Sequence, residues 1–91
     1  MLVVVSYDIG DERRRNRVAR LLEGFGARVL ESVYECDLTS AQWAKLERRL
    51  RREVDLPADQ VRAYLLCERC VEQTRVLAGP PVERSPSTYI V

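Results

Sequence analysis

Residues 3–22 read VVVSYDIGDERRRNRVARLL, and the fold is decided by how this stretch is divided. The apolar, β-branched run from Leu2 to Tyr7 has the length and composition of a central strand buried on both faces. Asp8-Ile9-Gly10-Asp11 breaks it. Asp11 is a fair N-cap, Glu12 suits a first helical turn, and Val18, Leu21, Leu22 and Phe25 recur at helical spacing as one apolar stripe. Gly26 is the expected stop at the C′ position. A strand therefore ends on a carboxylate, Asp8, and leads into a helix with five arginines in eight residues, namely Arg13, Arg14, Arg15, Arg17 and Arg20.

Ala27 to Leu38 alternates, with Leu30, Ser32, Tyr34, Cys36 and Leu38 on one face and Val29, Glu31, Val33, Glu35 and Asp37 on the other. This is one long strand with an acidic face, or two short strands with a bend. Thr39-Ser40-Ala41-Gln42 reads as a capping box. The helix after it turns Trp43, Leu46, Leu50 and Val54 inward and leaves Lys45, Arg48, Arg49, Arg51 and Arg52 outside that stripe, and Pro57 closes it. Val61 to Cys67 is a further apolar strand, and Arg75 to Ala78 is expected to be a short one. Gly79-Pro80-Pro81 and Ser85-Pro86 are breaks. Thr88-Tyr89-Ile90-Val91 is strand-like, and an apolar tail of this kind is usually tied down, here to an edge of its own domain or of a partner subunit. The order β-α-β(β)-α-β is the split βαβ, ferredoxin-like arrangement of an α+β protein, with two helices on one face of an antiparallel sheet. Residues 1–80 form the domain and residues 81–91 a tail that pairs at a dimer or partner interface.

The 91 residues suit a single domain with a modest core, and 46% hydrophobic with 32% charged residues is an ordinary globular balance. No apolar run approaches the roughly 20 residues of a membrane span. The start lacks a basic leader and a small-residue cleavage site, so the expected compartment is the cytoplasm. The formal net charge of +1 contains 15 basic residues, all arginine except Lys45. Arginine's planar fork pairs bidentately with phosphate, although such a bias also follows from a high-GC genome or a hot habitat. The absence of histidine excludes imidazole catalysis and imidazole-ligated metals. Cys36, Cys67 and Cys70 fit a reducing compartment better than a disulfide framework. Cys67-Glu68-Arg69-Cys70 is a lone C-x-x-C that leaves a strand into a short turn, and it reads as small, partly buried structural thiols.

Ligand sites in α/β units favour the carboxyl ends of strands, where Asp8 stands. One or two carboxylates suffice for Mg²⁺, which keeps most of its waters. The plainer role for Asp8 is a cap or an Asx turn, but Asp11 already offers a cap. Arginines in the first turns of a helix oppose its dipole, and phosphate oxygens would offset that cost. A solvated face balanced by Glu12 and Glu23 would offset it as well. Tyr7 and Tyr34 beside basic residues are candidates for stacking on bases or ribose, or are core residues with the hydroxyl at an edge.

Tyr7-Asp8-Ile9, Arg15-Asn16-Arg17-Val18-Ala19, Leu22, Gly26-Ala27-Arg28-Val29 and Ser32-Val33-Tyr34-Glu35, taken as an ordered set, closely resemble the CRISPR-associated protein 2 family. The likeness extends through Leu66-Cys67 and Cys70 to the proline-rich run and hydrophobic C-terminus. It implies a ferredoxin-like homodimer that takes part in spacer acquisition, clamped between two dimers of the adaptation integrase and holding duplex DNA. It also implies a metal-dependent endonuclease acting on single-stranded RNA or duplex DNA. By this resemblance Asp8 is the metal ligand, with one Mg²⁺ per dimer shared by two Asp8 side chains. Tyr7 and Tyr34 belong beside it in the catalytic site. Arg15, Arg17, Arg28 and Ser32, with Arg14 from the same basic run, face the nucleic acid. The chain departs from the family at Leu30-Glu31, where glutamine or glutamine and a base is usual, and at Tyr34, where phenylalanine is commoner. Glu31 adds negative charge near the metal. The competing expectations are a non-catalytic scaffold that sets the spacing of the integrase dimers, and a toxin-like messenger-RNA nuclease of similar size.

Overall fold

The computed structural model describes residues 1–83. Along the chain come β1 (Leu2–Asp8), α1 (Glu12–Glu23), β2 (Ala27–Leu30), β3 (Val33–Asp37), α2 (Ser40–Glu53), β4 (Gln60–Leu66) and α3 (Glu68–Glu72). The strands form one antiparallel sheet in the order β2-β3-β1-β4. This is the α+β, ferredoxin-like architecture expected from the sequence. No described helix is long and apolar enough to cross a membrane.

β1 is central, as its composition requires. Val3 stands between Cys36 and Leu65, and Val5 between Tyr34 and Ala63. Strand neighbours in register share a face, so Val3, Val5, Tyr7, Tyr34 and Cys36 meet Val18 and Leu22 of α1 and Leu46 and Leu50 of α2 in one buried core. Burying each such aliphatic side chain is worth about 1.5–3 kcal/mol. On the other side the expected burial holds only at Leu2, which is 5% exposed. Val4 and Ser6 are only half-buried there and Asp8 is exposed, because both long helices cover the same face.

The helix ends follow local chemistry. Asp11 is extended (φ −74°, ψ 122°) and its carboxylate accepts the Arg14 backbone N–H at 2.9 Å. Thr39 and Gln42 make the reciprocal capping box, with Oε1 of Gln42 accepting from the Thr39 N–H at 2.8 Å and Oγ1 of Thr39 accepting from the Gln42 N–H at 3.2 Å. α1 stops at Gly24, not at Gly26. Gly26 has a different function. A Cβ there would strike the Glu35 carbonyl oxygen and lie 2.6 Å from Cys36 Sγ and 2.7 Å from Cys36 Cα. Only glycine lets the start of β2 approach β3 so closely.

Residues 27–38 form two strands joined at Glu31-Ser32. An irregularity between Arg28 and Leu30 shifts the register, so Arg28 pairs with Tyr34 but Leu30 pairs with Val33. Leu30 therefore leaves the face that simple alternation assigned to it and stands 68% exposed. Residues 75–78 are not a strand. β4 instead runs into the short helix α3, and the chain returns to the uncovered sheet face, where the Glu83 N–H donates to Glu35 Oε1 at 2.9 Å. The strand expected at Thr88–Val91 lies outside the described residues.

Candidate nucleic-acid interface and metal site

Asp8 is the last residue of β1 and lies in register with Gln60 of β4. Strand alternation puts it on the sheet face opposite Tyr7. Ile9, just beyond it, is buried and anchors the loop. Arg15 Nη1 donates to the carbonyls of Ile9 at 3.1 Å and Gly10 at 3.3 Å, which clamps the connection between strand and helix. Asp11 does the capping, so the Asp8 carboxylate is left exposed with no ion pair among the described residues. A hard, exposed, uncommitted carboxylate suits Mg²⁺. One chain does not complete a site, since no three potential acidic or thiol ligands cluster among the described residues. The donor set fits the ion only if a second carboxylate or additional water completes it.

Tyr7 and Tyr34 are placed apart from Asp8, on the helix-covered face. Their rings stack in the core at 6.3 Å between centroids and 25° between planes. Tyr34 Oη donates to Glu23 Oε1 at 3.5 Å. Burial raises both phenols above their ordinary value, and the Arg28 guanidinium partly opposes this. Glu31 adds to the rise at Tyr7 and Glu23 to the rise at both, so the hydroxyl ends belong to a charged rim of Glu23, Arg28 and Glu31. Ser32 sits in the β2–β3 turn, where its carbonyl accepts the Tyr7 N–H at 3.1 Å.

The arginines of α1 divide into committed and uncommitted groups. Arg14 forks onto Asp59, with Nε to Oδ2 at 2.8 Å and Nη2 to Oδ1 at 3.0 Å, and the Asp59 side chain has no exposure. Oδ2 also accepts the Asp55 N–H at 2.9 Å. These bonds hold the Asp59 carboxyl below the usual carboxylate range, the Arg14 guanidinium being the larger cause. Arg17 binds Glu53 at 2.9 Å and ties α1 to the end of α2. Among the described residues, Arg13, Arg20, Lys45, Arg48, Arg49 and Arg52 are exposed and form no ion pair.

Arg20, Lys45 and Arg49 line a polar cleft of about 440 Å³ beside the two helices, together with Gln42 and Asp37. No motif or spacing in the sequence marks this cleft. Lys45 and Arg49 are four residues apart, a spacing that places both on one side of a helix. Their meeting with Arg20 depends on how α1 packs on α2, which spacing alone does not give. α1 carries five arginines against two glutamates, and α2 five cations against two glutamates. The pair of helices thus holds +6 in a chain of net +1, leaving −5 for everything else.

Comparison with known proteins accords with this geometry. Residues 1–74 match the family model described as CRISPR associated protein Cas2. A Chloroflexus aurantiacus protein named CRISPR-associated endoribonuclease Cas2 1 is 45% identical over 93 residues, covering all of both chains. The crystal structure of Streptococcus pyogenes Cas2 superposes with a TM-score of 0.74 at 34% identity, covering 86% of this chain and 100% of that one. A chain of a partial Cas6-RT-Cas1–Cas2 complex shares the fold at TM-score 0.73 and 22% identity, with coverage of 92% and 98%. The strand-end aspartate, the arginine-rich first helix and the four-stranded sheet are accordingly those of a family member: this chain belongs to the CRISPR-associated protein Cas2 family.

Proposed function

We propose that the chain acts in CRISPR adaptation as a cytoplasmic homodimer that holds duplex DNA beside the adaptation integrase, and that Asp8 of each copy serves a shared Mg²⁺ for phosphodiester cleavage. The observation that supports this most is the separation of charge, with +6 on the two helices and six exposed helix cations left without an acid partner among the described residues. A uniform-charge polymer is the natural complement of such a surface. The names of the relatives add nuclease activity to the reading.

A second copy seated on the uncovered sheet face would cover Leu30 and Tyr64, which are 68% and 48% exposed. Asp8 lies at the end of β1 on that same face, so a two-fold axis near it makes a pair of carboxylates from single ones. When bound there, Mg²⁺ supplies Lewis acidity toward the phosphodiester and lowers the pKa of a coordinated water. Arg15 keeps the Asp8 loop in one conformation through its two carbonyl bonds. Arg28 is exposed at the β2 edge and is free to neutralise phosphate. Tyr7 and Tyr34, with their phenols raised, remain protonated at neutral pH and act as donors at the Arg28 rim, not as bases. Arg14 and Arg17 support the helix layer through Asp59 and Glu53.

Contacts to phosphate carry little sequence information and make binding salt-dependent. Duplex affinity, measured by fluorescence anisotropy against salt concentration, should fall steeply and change little with DNA sequence. Arg20→Ala and Arg49→Ala should each reduce the slope of log affinity on log salt by about 1. Salt-insensitive binding, or slopes unchanged by both substitutions, contradicts the helix layer as the contact surface.

A further inference from the structure

Cys67 and Cys70 have no part in the reading above, and the structure places them differently from the sequence expectation of partly buried thiols entering a turn. Cys67 follows the last residue of β4 and is the N-cap of α3, which contains Cys70. Both are exposed, and their Sγ atoms lie 3.6 Å apart. A disulfide needs about 2.05 Å between sulfurs, so only a small side-chain and local backbone adjustment separates the present contact from a bond. Neither thiol fills the core, in contrast to Cys36, which is wholly buried. No third acidic or thiol ligand joins them among the described residues, which leaves a metal without a donor set there.

We propose that Cys67 and Cys70 form a redox modification site, a vicinal dithiol that a small-molecule disulfide of the glutathione class converts reversibly to an intrachain disulfide. The Cys67 thiolate attacks one sulfur of the oxidant and releases one thiol, giving a mixed disulfide. Cys70 then attacks Cys67 Sγ and releases the second thiol. Two thiol protons are lost from the protein, its two sulfurs are oxidised, and the two electrons leave on the two molecules of released thiol. Cys67 suits the first attack. The Cys70 backbone N–H, and then the Cys70 thiol, stabilise its thiolate and lower its pKa, whereas the Cys67 sulfur raises that of Cys70. Cys36 is the inert reference, since burial pushes its thiol up to about 11 with Glu35 acting in the same direction. The disulfide would close a ring at the exit of β4, ahead of the segment that reaches Glu35 through Glu83.

Arg69 lies between the two cysteines, so trypsin reports the bond directly. In the intact folded protein, equilibrated with glutathione disulfide, quenched with acid and digested, peptides 63–69 and 70–75 should disappear as separate species and run joined. Dithiothreitol should restore them, and Cys36 should stay unmodified throughout. Cys70→Ser should trap glutathione on Cys67, with a far-UV spectrum unchanged from wild type. The proposal is overturned if the peptides stay separate in fully oxidised glutathione. It is equally overturned if the joined species contains Cys36, links two chains, or is blocked by zinc that copurifies with the pair.

Discussion

Arg14→Ala is expected to lower the melting temperature by roughly 10 °C or more. The reason is the carboxylate it leaves behind. Asp59 has no side-chain exposure, and Arg14 supplies two of its three hydrogen bonds, the Asp55 N–H supplying the third. Breaking a buried pair strands a charge away from water, which costs more than the pair contributes when intact. Arg14→Lys should recover only part of the loss, because an ammonium cannot make the two-pronged contact. The Arg14→Ala, Asp59→Ala double variant should be more stable than the sum of the single losses. Additive losses would show that the two side chains act independently. The pH dependence has a definite sign. The folded Asp59 carboxyl is held below its ordinary value, so its contribution is fully present above the unfolded carboxyl value of about 3.9 and is lost as pH falls through the folded one. Wild type should therefore lose stability in that acid window more steeply than Arg14→Ala, by thermal melts across pH.

Gly26→Ala is the second large effect, expected to destabilise the chain by about 3 kcal/mol in urea unfolding. The added Cβ meets the Glu35 carbonyl oxygen and the Cys36 Cα as well as its Sγ. Two of those three atoms are backbone in the middle of β3, so no rotamer change relieves the contact, and β2 must move away from its neighbour. Combining the change with Cys36→Ala removes only the sulfur and should leave most of the loss. Full recovery in that double variant would mean that the clash was with the side chain alone.

Much of this molecule is written locally in its sequence. The β-branched run of β1, the Asp11 cap, the Thr39–Gln42 box and the helical stripes each depend on residues within one or two turns, and each is where spacing places it. The misplaced features depend on partners distant in sequence. Gly26 reads locally as a helix stop because its close neighbour, Cys36, is ten residues on. Leu30 changed faces because a register irregularity in the β2–β3 pairing outweighed simple alternation. The short α3 is not legible because five residues give too little periodicity to read, and the apolar stretch at 75–78 pairs with neither edge strand, β2 nor β4, among the described residues. The candidate site divides in the same way. Asp8 at a strand end was legible once Asp11 was seen to cap. That Tyr7 and Tyr34 stack on the opposite face, and that Arg14 is committed to Asp59, required the tertiary structure.

The proposed role of Asp8 is to hold a metal ion for nucleic-acid cleavage. Its most direct test is cleavage of single-stranded RNA and of duplex DNA by purified wild type beside Asp8→Ala, with Mg²⁺ and with chelator. Cutting by wild type is expected to require Mg²⁺ and to be lost in Asp8→Ala, while duplex binding through the helix layer is retained. Duplex binding without cutting by either protein, or cutting that survives Asp8→Ala, contradicts it, and the former outcome makes the dimer a scaffold with a structural acid at the end of its central strand.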